Sequence, residues 1–201
     1  PADDILGRPR AGQGGAPDLG AYEYGADDGA WSTAEAVANV LAFQESAGQV
    51  VMEAEHASSV IPRGGKDWSV NNSKSGFSGS GYLTAAPNTG SSINSGYVTT
   101  SPELVFNVTF ATTGTYDVWI RGQGDSDSDD SLHAGLDGTG PSSADRIHGF
   151  HSPAWVWQRI TMDGGAPATL QISTPGLHTI HLWMREDGLR VDKLLLRTSS
   201  V

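Results

Sequence analysis

Gln49-Val50-Val51-Met52-Glu53-Ala54-Glu55-His56 carries two carboxylates two residues apart on a run that reads as a strand. Alternate side chains of a strand share a face, so Glu53 and Glu55 would stand side by side. The pair has two readings: solvent-facing polarity produced by alternation, or oxygen ligands for a cation that ties this strand to another. More acid lies in Asp125-Ser126-Asp127-Ser128-Asp129-Asp130, with carboxylates spaced as at the start of an EF-hand loop. That motif is excluded, because Asp130 stands where it needs glycine, Leu136 where it needs glutamate, and no flanking helix is predicted. A looser cation site and a solvated acidic loop are the two remaining readings.

A second chemistry is offered by planar donors beside carboxylates and indole rings. Arg121 and Arg185-Glu186-Asp187, with the acidic loop and six tryptophans, suit sugars. Forked donors and carboxylates bond hydroxyls in pairs, and rings stack on the apolar faces of pyranoses. Trp155, in the Gly/Pro/His-rich connection after Gly149, is the first stacking candidate. Trp68, in a turn-rich loop, is the second. Trp157 is expected to open a core strand. The same residues admit a plainer reading, in which Arg121 and Arg185 only pair with nearby acids on a solvated surface.

The elements that must position these groups are strands. Leu104, Phe106, Val108 and Phe110 alternate inward, as do Tyr116, Val118 and Ile120, and then Leu132, Ala134 and Leu136. Runs at 159–162, 168–173, 179–185 and 189–197 continue the pattern. Asp137-Gly138, Asp163-Gly164 and Asp187-Gly188 are turn dipeptides between them. Short strands at this spacing predict an all-β protein, a β-sandwich of about 150 residues. If the strands at 116–121, 131–137 and 178–185 are neighbours in one sheet, Trp119, Trp183, His133 and His181 share its outer face. The strand ends and loops then bring Arg121, Asp129, Asp130, Ser131, His133, Arg185, Glu186 and Asp187 to one rim, with Trp155 beside it.

Composition excludes several classes. There is no cysteine, so neither disulfides nor thiolate metal sites are possible, and the compartment is left open. The net charge of −11 repels phosphate backbones and makes nucleic acid a poor partner. No apolar run is long enough to span a membrane as a helix. The six histidines have no zinc-hydrolase spacing, there is no Gly-x-Ser-x-Gly elbow, and Ser75–Gly81 lacks the lysine and helix of a phosphate cradle. A glycosidase using paired carboxylates such as Asp129 and Glu186 remains as an alternative.

Gly14-Gly15-Ala16-Pro17-Asp18-Leu19-Gly20-Ala21-Tyr22-Glu23 resembles the closing coil of bacterial right-handed parallel β-helix proteins. That resemblance implies that residues 1–24 are the stub of an upstream domain, with 25–42 a linker or short helix and 43–201 the sandwich. Within the sandwich, Val50–His56, Gly79-Ser80-Gly81-Tyr82-Leu83, Gly114–Arg121, Gly176–Ile180 and Leu189–Leu196 resemble, in that order, the non-catalytic carbohydrate-binding modules of families 6 and 35. The resemblance implies a galactose-binding-like jelly roll and a structural Ca2+ held by Glu53, Glu55 and Asp192 between the first and last strands. It also implies polysaccharide or oligosaccharide binding at the loop rim or on a sheet face bearing Trp119 and Trp183. A secreted or cell-surface bacterial setting and a monomer, not an enzyme, complete the expectation. A structural or adhesive module without sugar binding is the third possibility.

Overall fold

A computed structural model describes residues 42–199; the expected stub at 1–24 and nearly all of the 25–42 linker lie outside them. The described residues form thirteen strands, one short α-helix and a 3-10 turn at Ala54–His56: β1 (Phe43–Gln44), β2 (Gln49–Glu53), β3 (Ser59–Ile61), β4 (Asp67–Asn71), β5 (Tyr82–Ala86), α1 (Tyr97–Thr100), β6 (Glu103–Phe110), β7 (Gly114–Gln123), β8 (Ser131–Leu136), β9 (Ile147–His148), β10 (Val156–Gln158), β11 (Thr169–Ile172), β12 (Gly176–Met184) and β13 (Arg190–Thr198). They make two sheets. One has the order β1-β6-β12-β8-β9 with β3 beside β6; the other has β10-β7-β13-β5-β4 with β11 beside β7 and β2 beside β13. This is the expected all-β sandwich.

The core lies between the sheets, and period-2 alternation builds it. Leu104, Phe106, Val108 and Phe110 of β6, Tyr116, Val118 and Ile120 of β7, and Leu194 and Leu196 of β13 are all buried in one apolar cluster. Asp137 and Gly138 both adopt positive φ, the geometry of the tight hairpin turn read from their types. The run at 159–162 is a series of isolated bridges, and the strand before it is β10.

Two features set up the site. The β1–β2 turn carries the chain from one sheet to the other, and Glu45 pins it. The Glu45 carboxylate accepts N–H bonds from Gly48 (2.5 Å), Ala111 (2.8 Å) and Thr112 (2.8 Å), joining this turn to the β6–β7 turn. In β13 the register against β7 shifts between Val191 and Lys193. A bulge of this kind re-aims a side chain, and here it frees Asp192 to meet the β4–β5 loop.

One expected neighbour relation does not hold. β8 and β12 are antiparallel partners, but β7 lies in the opposite sheet, beside β13. Trp119 and Trp183 therefore face away from different sheets. Outward parity did not leave Trp183 bare either. Its ring is fully buried under Tyr97 and stacked with His181, and a Cβ at Gly135 would collide with it. Trp68 is likewise core: it lies in β4, 2% exposed, with Nε1 donating to Pro102 O at 3.1 Å.

Candidate functional site

Glu53, Glu55 and Asp192 do converge, on the 78–80 segment of the β4–β5 loop. Asp192 lies in β13, but of the two glutamates only Glu53 is on a strand. β2 ends there, and Glu55 sits in the 3-10 turn Ala54–His56, so the two do not share a pleated face as expected. They meet instead around Gly79, where a side chain would collide with the Glu55 carboxylate and lie 3.5 Å from the Glu53 carboxyl carbon. Gly79 also has φ +66°, which glycine adopts at no steric cost. Ser78 ties two of the acids together: its N–H donates to Asp192 Oδ1 at 2.8 Å, and its hydroxyl donates to Glu53 Oε2 at 2.8 Å. Ser80 N–H donates to Glu55 Oε1 at 2.7 Å. Because β2 pairs with β13, with Lys193 opposite Glu53, this clasp joins the first and last strands of the seven-stranded sheet.

Its charges are unevenly compensated. Asp192, fully buried, is paired with Arg121, and Glu53 Oε1 lies 2.8 Å from Lys193 Nζ. Among the described residues Glu55 has no cationic partner, and its Oε2 is buried without a hydrogen-bond partner. An orphaned carboxylate oxygen beside two further carboxylates is hard-oxygen chemistry suited to Ca2+. As the side chains stand, no three His, Asp or Glu among the described residues are gathered tightly enough to hold one ion.

Above the clasp is an aromatic group. Trp155, half-buried, meets Tyr82 edge-on at 5.0 Å between centroids, and Phe77 packs on the other part of Tyr82 at 5.6 Å. Trp155 Nε1 donates to Ser75 O at 2.9 Å, and the Arg121 guanidinium lies 5.7 Å from the Trp155 ring centroid. Beside it, Arg190 forks onto Asp125, which also takes Lys74 at 3.2 Å. These bonds pull the Asp125 carboxyl down to about 2, Arg190 contributing most and burial opposing. The acidic loop is therefore partly tied down: Asp125 has these cations, and Asp127 accepts from or pairs with His151 Nδ1 at 2.7 Å.

The other expected rim residues come together, largely bonded to one another. Glu186 accepts the Asp130 N–H at 3.0 Å and the Ser131 hydroxyl at 2.6 Å, and Arg185 bonds both Ser131 and Glu186. Asp130 and Glu186 are each 8% exposed. Burial, then the Glu186 charge, raises the Asp130 carboxyl above its ordinary value. Asp129 is held by Asn88 (3.1 Å) and Ser126 (2.9 Å). Asp187, with no exposure, accepts three backbone N–H bonds from Thr89, Gly90 and Ser91 and pairs with Lys66. Burial opposes its ionisation, and the Lys66 and Thr89 bonds outweigh it, leaving its carboxyl below the usual range.

His133 is fully buried, stacked on Tyr97 at 3.7 Å. Its Nδ1 accepts the Arg146 N–H and its Nε2 donates to Ile93 O, and burial drives it down to about 4, so it stays neutral. Arg121 leaves this rim altogether, because β7 is in the other sheet. Of the nine expected ligand residues, Trp155, Arg121 and Arg185 retain partial exposure.

Two further surfaces complete the inventory. On the outer face of the seven-stranded sheet, Trp157 is 39% exposed and not core, because it sits opposite Arg121 with outward parity. Trp119 is its diagonal neighbour under the Arg159 guanidinium, 4.6 Å away. The expected sheet-face pair is thus replaced by Trp119 and Trp157. Elsewhere, an open depression of about 530 Å³ is bounded by Pro62, Arg63, Lys66 and Pro87. Its cations are engaged, Arg63 by Ser101 O and Glu103 and Lys66 by Pro87 O, Thr89 and Asp187.

Residues 42–201 match the family described as glycosyl hydrolase family 115 C-terminal domain. The chain belongs to that family. It is 33% identical over 102 residues to protein P23 of Formosa agariphila, covering 47% of this chain and 25% of P23, so it spans about a quarter of that relative. Among solved structures, it resembles the family 35 carbohydrate-binding module of Paenibacillus barcinonensis, with a TM-score of 0.53 and 22% identity over 74% of this chain and 98% of that one. It also resembles the family 35 module of Clostridium thermocellum, with a TM-score of 0.51 and 17% identity over 76% of this chain and 100% of that one. At these identities the likeness establishes the fold, the carbohydrate-binding-module type of β-sandwich expected from the motif order.

Sequence reasoning did not single out Ser78, Arg190 or Lys74. Ser78 sits in a Gly/Ser run whose composition marks only a loop. Arg190 and Lys74 acquire meaning from Asp125, which lies far from both in the chain.

Proposed function

We propose that the sandwich is a non-catalytic carbohydrate-binding domain, stabilised by calcium at the Glu53–Glu55–Asp192 clasp, that anchors an appended polysaccharide-active or surface protein to a polysaccharide. The observation that carries this reading is coverage. The chain aligns with 98% and 100% of two free-standing carbohydrate-binding modules, so the likeness is to the binding unit itself and not to a catalytic part. The family description, a C-terminal domain of glycosyl hydrolases, agrees with a unit appended to a longer chain.

The chemistry supports binding without catalysis. Trp155 offers a half-buried ring braced by Tyr82, with Arg121, Lys74 and the Arg190–Asp125 pair as hydrogen-bonding neighbours. The carboxylates available for an enzyme reading are poorly placed. Asp129 and Glu186, the pair an enzyme reading would use, are both buried and held in hydrogen bonds. The β-helix assignment for the upstream domain rests on Gly14–Glu23, and secretion and a monomeric state follow only from the proposed role.

Affinity electrophoresis through gels containing different polysaccharides tests the reading. Retardation without product is expected. Released oligosaccharide would support the enzyme, and unretarded migration in every gel, with no binding on a glycan array, would leave a structural module.

A further inference from the structure

Arg190 is planted on a sheet with its fork turned outward. In register it stands between Thr84 of β5 and Gln123 of β7, so the three side chains share one face. Thr84 Oγ1 and Gln123 Oε1 are both buried without a hydrogen-bond partner among the described residues, and Gln123 as a whole is 5% exposed. Arg190 bonds neither. Both arms of its guanidinium go to Asp125, Nη1 to Oδ1 at 3.0 Å and Nη2 to Oδ2, although the Asp125 side chain is 55% exposed. An ion pair with so exposed a partner adds little stability, whereas each buried polar atom left unbonded subtracts some. Folding stability therefore does not account for the arrangement. What it does achieve is to fix a carboxylate in one orientation at the surface.

That carboxylate stands beside the Trp155 ring. Lys74 Nζ reaches Asp125 Oδ1 at 3.2 Å, and the next residue, Ser75, accepts the Trp155 indole N–H at 2.9 Å. Lys74 N–H also donates to the hydroxyl of Tyr82, the ring that braces Trp155. On the other side, Gln123 Nε2 donates to Pro153 O at 2.9 Å, and these two residues lie just before Asp125 and Trp155 in their own segments. A carboxylate accepts at about four lone-pair positions. Arg190 takes one on each oxygen and Lys74 a second on Oδ1, so Oδ2 keeps one for a ligand. The Lys74 ammonium likewise keeps donors beyond the one given to Asp125.

We infer that Asp125 and Lys74 read two adjacent hydroxyls of a neutral saccharide unit stacked on Trp155, with Arg190 as the positioning residue. One hydroxyl donates to Asp125 Oδ2, and its neighbour accepts from Lys74. The inference rests on the carbohydrate-binding reading of the Trp155 group. A carboxylate aimed at the ligand also turns acidic sugars away, because it sets like charges in contact. The groups facing Asp125 are Arg190 from β13 and Lys74 from the β4–β5 loop, while Tyr82 of β5 and Asp129 of the acidic loop face Arg190. The Arg190 bonds chiefly, against burial and helped by Lys74, hold the Asp125 carboxyl down to about 2.

The test titrates the full 201-residue chain by tryptophan fluorescence with mannohexaose, cellohexaose and galactohexaose, and with hexagalacturonate as the acidic probe. Titrations run from about pH 7 to about pH 3.5, on either side of the ordinary aspartate range, with circular dichroism confirming the fold at each pH. Wild type is expected to bind a neutral probe with nearly constant affinity and hexagalacturonate at least about tenfold more weakly, and Asp125→Asn to lower neutral affinity about tenfold, the size of a charge-assisted hydrogen bond. Arg190→Gln lets Asp125 titrate nearer its ordinary value of 3.8. Because the ionised form binds, affinity of that variant should fall as pH drops through this value, and adding Asp125→Asn should flatten the profile. A merely structural role for Arg190 creates no such pH dependence. Undiminished or tighter binding by Asp125→Asn overturns the inference, as does a preference for hexagalacturonate. A flat profile in folded Arg190→Gln overturns the positioning role, and if that variant does not fold, Asp125→Asn decides alone. Loss of binding in Trp155→Ala with Asp125→Asn unaffected overturns the inference and leaves the Trp155 reading standing, whereas wild type that binds none of the probes overturns both.

Discussion

Ser78 and Asp192, 114 residues apart, are joined through a 2.8 Å N–H bond to Oδ1, and the Ser78 hydroxyl spans from Asp192 to Glu53. The β4–β5 loop is thereby fastened across the last strand onto the first. Asp192 is fully buried with Arg121 as its cation, so removing its charge strands a guanidinium. Breaking one side of such a pair costs about 3 kcal/mol. Asp192→Ala is expected to lower the melting temperature by roughly 6–12 °C for a domain of this size. Polysaccharide affinity per folded molecule, measured below the transition, should fall much less.

Chelation gives the matching test of the metal. EDTA should lower the melting temperature of wild type, because a ligand that binds only the native state stabilises it by mass action. It should leave Glu55→Gln unmoved. Equal EDTA shifts in the two proteins would place any metal elsewhere.

Glu45 links the two sheets at the opposite side of β2, and its pH dependence follows from its bonds. Burial alone would raise its pKa, but the N–H groups of Gly48, Thr112 and Ala111 outweigh that and hold it below 4.5. A carboxylate with a depressed folded pKa contributes stability that is complete above its unfolded value and lost as pH falls through the folded one. Glu45→Gln should therefore be less stable by about 1–2 kcal/mol at neutral pH, the size of a charge-assisted hydrogen-bond network weakened but not removed. Urea melts at falling pH should show that gap closing below about pH 4.5.

Inward faces were legible in the chain because pleating is local. Leu104, Phe106, Val108 and Phe110 needed only alternation to be placed in the core. Sheet membership is not local, and here it moved Arg121 away from Ser131 and toward Asp192. Outward parity was also read as exposure, which failed at Trp183 and His133. α1 and the 137–146 segment cover that face, and no period in β8 or β12 announces a cover supplied by other parts of the chain. The clasp acids were legible as residues, but their meeting point was not, since it depends on Gly79 admitting two carboxylates against its backbone.

Asp130 should respond to pH in the opposite sense from Glu45. Burial and the Glu186 charge raise its folded pKa, so its contribution is intact below the unfolded value and lost as pH rises through the folded one. Asp130→Asn removes the charge that burial and Glu186 oppose while keeping an acceptor for the neighbouring N–H and adding a donor toward Glu186. It should raise the melting temperature by roughly 2–4 °C at pH 8, about 1 kcal/mol, and confer no advantage near pH 4. A variant that is destabilised at pH 8 would mean that both carboxyls are needed ionised, as a bound cation would require.

Trp155 and Trp157 separate the two surfaces on which a glycan could stack. Trp155 stands half-buried among Tyr82, Arg121 and the β4–β5 loop, whereas Trp157 stands 39% exposed on the open sheet face beside Trp119. A ring braced on one side and flanked by donors can bury a sugar face and bond its hydroxyls together, which a ring on a flat sheet does less completely. Trp155→Ala is therefore expected to weaken polysaccharide binding by roughly ten- to hundredfold, the loss typical of a central aromatic anchor. Trp157→Ala should weaken it by less than about threefold, as a peripheral ring would. Retardation in affinity gels measures both, with circular dichroism confirming that each variant is folded. The reverse ranking would move the binding surface from the loops to the Trp119–Trp157 face.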